Sequence, residues 1–131
     1  MLGSSSHRVR VLVAEEHPSV RENLRYLIDT EPDMECVGVA KSGRQCLTLC
    51  DQLRPEVLIV DEILPGADGI AVAAILGRHR PEIRVVMYVF DERVCEVARG
   101  VGAVACVAKD LRYDVLLGAV RQAAPDRARS N

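Results

Sequence analysis

Strand-like apolar runs and segments of helical period alternate five times along this chain of 131 residues, and that alternation limits its fold more than any single motif. Residues 9–14 (VRVLVA) are apolar at every position but Arg10. From Pro18 the period changes: Val20, Leu24, Leu27 and Ile28 share one helical face, and Pro32 requires a stop before it. Residues 34–40 read as a second strand, followed by a helix from Ser42 or Gly43 to about Leu53. Residues 57–60 (VLIV) are apolar on both faces and are bounded by Pro55 and by Pro65-Gly66, the pattern of a fully buried strand. A helix over 70–80, a strand over 84–89, a short helix over 92–99, a strand over 104–108 and a helix over 113–123 complete the series. The connections are too long for hairpins, so the pattern predicts parallel strands, right-handed crossovers and helices on both sheet faces.

With 49% hydrophobic residues the chain can build one real core, and the reading is a single domain over 8–124. Residues 1–7 read as a flexible start or an added remnant, and 125–131 as a polar, linker-like tail without a helix-turn-helix after it. Such a tail fits either a following domain or a unit of this size standing alone. A net charge of -2 gives no global attraction to nucleic acid or to anionic membranes, so DNA contact is expected only through another domain. Neither a membrane span nor a secretory signal is legible, which predicts a cytoplasmic protein. Five cysteines, Cys36, Cys46, Cys50, Cys95 and Cys106, each sit in an apolar segment and form no Cys-x-x-Cys pair. Buried, reduced thiols are the expectation. Cys46 and Cys50 have the spacing for two metal ligands, but no His or carboxylate cluster joins them.

Three of the strand ends carry charged residues. Asp61 closes the buried VLIV run, Glu15 and Glu16 follow the first strand, and Lys109 follows the fifth. In a doubly wound sheet these ends share one edge, where ligands bind. Taken singly, Asp61 is equally a turn opener, Glu15-Glu16 a solvated loop favouring a helix N-terminus, and Lys109 an exposed cation. Taken together, clustered carboxylates repel unless protonated or bound to a hard divalent cation, and Mg²⁺ suits an oxygen-only site. A metal beside Asp61 would leave the carboxylate free to attack phosphorus, and Lys109 would pair with the added phosphate.

These residues resemble the receiver domain of two-component response regulators, over about Val9 to Ala123. The likeness is greatest to receivers that precede a LuxR-type helix-turn-helix domain, through Glu15-Glu16-His17-Pro18, Asp61 with Pro65-Gly66 and Asp68-Gly69, and Gly102-Ala103 ahead of Lys109-Asp110. The resemblance implies a flavodoxin-like, three-layered α/β fold with five strands in the order 2-1-3-4-5 and five helices. It also implies Asp61 as phosphoacceptor, Glu15, Glu16 and Asp61 as Mg²⁺ ligands, Lys109 as the phosphate-pairing lysine, and no enzymatic turnover. The implied partners are a histidine kinase and a second copy of the chain, with DNA reached only through an output domain and no role at a membrane.

Two family features are absent. The hydroxyl residue that ends the fourth strand falls at Val89 when aligned from Pro81, or at Met87 when aligned back from Lys109, which implies a shortened connection after that strand. The switch aromatic falls at Cys106. Glu in place of Asp in the acidic pair lengthens the reach to a metal that demands near-octahedral geometry. Tyr88 and Phe90, flanking Val89, are expected to pack in the core, with a partner surface as the alternative. The likeness therefore supports a phosphorylation-controlled signalling domain, and the departures support a receiver that dimerises or binds a partner or ligand without phosphate. A small phosphoryl-transfer or hydrolytic enzyme ranks last, because no second general acid is evident.

Overall fold

The computed structural model describes residues 7–110 and 112–125. The apolar runs form one parallel sheet of β1 (Val9–Ala14), β2 (Met34–Ala40), β3 (Val57–Asp61), β4 (Arg84–Val89) and β5 (Ala105–Ala108). Its order is β2-β1-β3-β4-β5, as the resemblance implied. The helices are α1 (Pro18–Thr30), α2 (Gly43–Leu53), α3 (Gly69–His79), α4 (Cys95–Gly100) and α5 (Tyr113–Ala123). Apart from His7 and Pro125, the start over 1–7 and the tail over 125–131 lie outside the described residues.

The strands alternate between two cores. Leu12, Leu58, Val60, Met87 and Val89 pack with Cys46, Cys50, Val72, Leu76 and Ala98 of α2, α3 and α4. Val11, Val13, Val57, Ile59, Val86 and Tyr88 pack with Leu24, Ile28, Leu116 and Val120 of α1 and α5. Period-two alternation within each strand makes this division, and helices on both faces account for strands apolar throughout.

Local chemistry sets the helix starts. Pro18 opens α1, where its missing N–H costs nothing. The Ser42 hydroxyl accepts from the Gln45 amide at 3.1 Å, and the Asp68 carboxylate from the Ala71 amide at 2.9 Å, so α2 and α3 begin on side-chain caps. Gly69 is also a close approach: a Cβ there would collide with the Asp61 carbonyl, so glycine lets α3 start against the strand end.

Three expectations change. β3 extends through Asp61, which pairs with Tyr88 in the ladder. The helix expected over 92–99 is a single 3₁₀ turn, Glu92–Val94, leading into the six-residue α4, because the Asp91 carboxylate accepts from the Arg93 amide at 2.9 Å and tightens the entry. The thiols are not all reduced: Cys95 and Cys106 form a disulfide with Cα atoms 5.5 Å apart, since the crossover from β4 through α4 lays the first residue of that helix over β5. Cys36, Cys46 and Cys50 are free.

Candidate functional site

Strand alternation assembles the site. Positions 57, 59 and 61 face the α1 and α5 side, and Glu15 and Lys109 continue the parity of Val13 and Val107 on that same side. The crossovers align the strand ends, so the three side chains meet despite separations of 94 and 48 residues. The Lys109 ammonium donates to Glu15 Oε1 and to Asp61 Oδ2, each at 2.9 Å. Glu15 is 1% exposed and Asp61 3%, so both carboxylates are buried and share one cation.

The backbone and neighbouring side chains hold the remaining lone pairs. The Ile63 amide donates to Asp61 Oδ1 at 3.2 Å. The His17 amide and its ring Nδ1 lie 3.2 and 3.0 Å from Glu15 Oε2. Arg21, buried on α1, donates from Nη1 to the carbonyls of Glu15 and Glu16 at 3.0 and 3.1 Å and so fixes the loop that carries the acidic pair. On the other side, Glu62 Oε1 accepts from the Phe90 and Asp91 amides at 2.9 and 3.3 Å, tying the loop after β3 to the loop after β4.

The two carboxylates titrate in opposite directions. Burial pushes Asp61 above the ordinary carboxylate range, and the nearby Glu15 charge adds to it, outweighing the Lys109 hydrogen bond. Burial acts on Glu15 in the same sense, but the hydrogen bonds from Lys109 and His17 overcome it and hold that carboxyl low. Burial opposes the charge on Lys109, and its two carboxylate partners outweigh this and raise its pKa. The pocket therefore stores a fixed negative charge at Glu15, a fixed positive charge at Lys109 and a more easily protonated carboxyl at Asp61.

Glu15, His17 and Asp61 each offer one ligand atom, all within 4.8 Å of one another. Two carboxylate oxygens suit a hard cation completed by water, whereas the His17 nitrogen is not a donor that Mg²⁺ selects. Glu16 is exposed and stands outside this group, although its carbonyl is held by Arg21.

The positions read as lacking the usual switch groups lie on the β4 to β5 side. Val89 is the last residue of β4, fully buried, and its carbonyl accepts from the Lys109 amide at 2.7 Å. Met87 is buried two residues earlier, and Cys106 is in the disulfide. Tyr88 packs in the core as expected, but Phe90 does not: it is 70% exposed. Its ring centroid lies 4.9 Å from Lys109 Nζ and that of Tyr88 lies 5.4 Å away, so aromatic faces flank the cation. With Val20 and Tyr113 these residues line a cavity of about 140 Å³ beside the carboxylates. Sequence reading missed Arg21 and Glu62. The one available signal for Arg21 was a cation beside the apolar face of an amphipathic helix, and Glu62 carried none.

Residues 11–121 match the family model of the response regulator receiver domain. The chain is 35% identical over 124 residues to the transcriptional regulatory protein YxjL of Bacillus subtilis, covering 92% of this chain and 56% of that protein. It is 28% identical over 123 residues to the nitrate/nitrite response regulator protein NarL of Escherichia coli K12, covering 92% of this chain and 57% of that protein. It thus spans about half the length of these relatives. Among solved structures, the response regulator domain of Thermotoga maritima CheB superposes with a TM-score of 0.83 at 28% identity, covering 89% of this chain and 96% of that one. The signal receiver domain of a NarL response regulator from Mycobacterium tuberculosis gives 0.82 at 26%, with 89% and 97% covered. Because the family match runs from the first strand into the last helix, the chain belongs to the response regulator receiver domain family.

Proposed function

We propose that the domain receives a phosphoryl group on Asp61 and relays that event within a two-component system that controls transcription. The observation that carries this reading is the buried Asp61 carboxylate at the end of the central strand, hydrogen-bonded to a lysine that also holds Glu15. An Asp61 oxygen attacks phosphorus of a phosphohistidine on a histidine kinase. The P–N bond breaks, and the histidine nitrogen leaves with the electron pair. Glu15 and Asp61, with Glu16 at the rim, supply oxygen donors for Mg²⁺, which when bound offers positive charge to the phosphoryl oxygens. Lys109 moves its hydrogen bonds from the bare carboxylates to the added phosphate, and Glu15 keeps its His17 partners meanwhile.

The reading assigns no turnover to the domain and places it in the cytoplasm. No described helix is long and apolar enough to cross a membrane. Contact with DNA belongs to an output domain such as the remaining half of the transcriptional relatives would hold, and a second copy of the chain is a candidate partner. The switch is atypical in this reading, because Val89 offers no hydroxyl to a phosphoryl group and Cys106 no aromatic ring.

Incubation with a small acyl phosphate and Mg²⁺, followed by intact mass measurement, tests the assignment. Wild type should gain one phosphoryl group and Asp61→Asn none. No gain under conditions that label an ordinary receiver would overturn it. The second reading, a receiver working through partner or ligand binding without phosphate, is favoured by one observation: the Lys109 ammonium is already engaged by both carboxylates before any phosphate arrives.

A further inference from the structure

The Cys95–Cys106 pair joins two short elements. α4 has six residues, too few to be stable alone, and buries only Cys95 and Ala98. β5 is a four-residue strand at the sheet edge, paired on one side only, to β4. The disulfide spans eleven residues and fastens the start of that helix to a strand position three residues before Lys109. It is thus the covalent link between the α4 surface and the strand whose end supplies the cation of the acid pocket.

The other thiols cannot do this. Cys46 and Cys50 are fully buried and four apart on α2, where Cβ atoms sit about 5–6 Å apart, too far for the roughly 3.5–4.5 Å of a disulfide. Burial pushes the Cys36 thiol up to about 11, which keeps it protonated and unreactive. Cys106, like Cys36, is partly exposed, so the pair presents one residue that a small reagent can approach.

We propose that Cys95 and Cys106 form a reversible thiol–disulfide exchange site that responds to small-molecule disulfides of the glutathione class and locks α4 to β5 when oxidised. The Cys106 thiolate attacks one sulfur of the small disulfide, its S–S bond breaks, and one small thiol leaves with the electron pair and takes up a proton. The Cys95 thiolate then attacks the Cys106 sulfur, the mixed disulfide breaks, and the second small thiol leaves in the same way. Two protein thiols are oxidised to one disulfide and one small disulfide is reduced to two thiols, so atoms and electrons balance. Only the compartment is taken from the proposed function: in a reducing cytoplasm a disulfide that forms is expected to be transient and sensing, not a permanent staple.

The test is a titration of the full chain in mixtures of reduced and oxidised glutathione, quenched in acid, then alkylated with a maleimide in denaturant and weighed intact. The chain has five cysteines, so the reduced form should carry five adducts and the oxidised form 5 − 2 = 3. The expected result is a reversible loss of two adducts as oxidised glutathione rises, with peptide mapping placing the link between Cys95 and Cys106. Cys95→Ser and Cys106→Ser should each abolish that link while retaining the far-ultraviolet circular dichroism of the folded chain. Five adducts at every ratio, three that reduced glutathione never reverses, or a link through another cysteine would each overturn the proposal. The readout is independent of Asp61, so it stands or falls apart from the phosphorylation assay.

Discussion

The acid pocket and the neighbouring edge formed by β4, α4 and β5 occupy the same end of the sheet and solve opposite problems. The pocket buries three charged groups and satisfies them with one another and with backbone amides. The edge puts Val89, Met87 and a disulfide beside it, none able to hydrogen-bond strongly to a phosphoryl group. Under the proposed function, the difference separates the groups that would receive charge from those that would transmit its arrival. Receipt needs fixed donors at converging strand ends, and transmission depends on what joins the edge helix to the edge strand.

The largest test of that division is Lys109→Ala. It strands two buried carboxylates without their shared cation, and breaking a buried pair costs about 3–5 kcal/mol. Urea unfolding at neutral pH should show it. A loss under about 1 kcal/mol, the range of exposed pairs, would mean that the pocket is wet and the contrast with the edge false. Next is Val89→Thr, which adds a hydroxyl on the apolar side of β4 against the α4 core. Left without a partner it should cost about 1–3 kcal/mol in the same assay. No cost would reveal a polar group within reach and move Val89 from the edge into the pocket.

Smallest in size, and most specific, is Asp61→Asn. Because the folded pKa of Asp61 is raised, its contribution to stability is fully present below the unfolded carboxylate value and is lost as pH rises through the folded pKa. At neutral pH the ionised Asp61 is therefore a burden, and Asp61→Asn should gain stability by less than either of those losses, the gain shrinking toward acid pH. Glu15 has the opposite sign: its folded pKa is lowered, so its contribution is present above the unfolded value and is lost as pH falls through the folded one. Unfolding curves of Asp61→Asn against wild type across acid to neutral pH check this, and a gain independent of pH would refute it.

Legibility followed the range of the interactions. Prolines, caps and the change of hydrophobic period are local, so the order of strands and helices could be read nearly residue by residue. The short α4 was read too long, because a carboxylate cap at Asp91 favours a tight 3₁₀ entry over a full helical turn. Phe90 was expected to pack with Tyr88. The strand ends at Val89, so Phe90 falls in the loop, where its amide is held by Glu62 and its ring faces solvent above Lys109.

By itself the sequence determined a five-stranded parallel sheet with covered faces and an acid, an acidic pair and a lysine at strand ends, because periodicity and turn residues act over a few positions. Only the tertiary structure decided that one ammonium bridges Glu15 and Asp61, that Glu16 stays outside, and that Cys95 reaches Cys106. Those contacts depend on how each crossover lies against the sheet, and no spacing along the chain carries that distance through space.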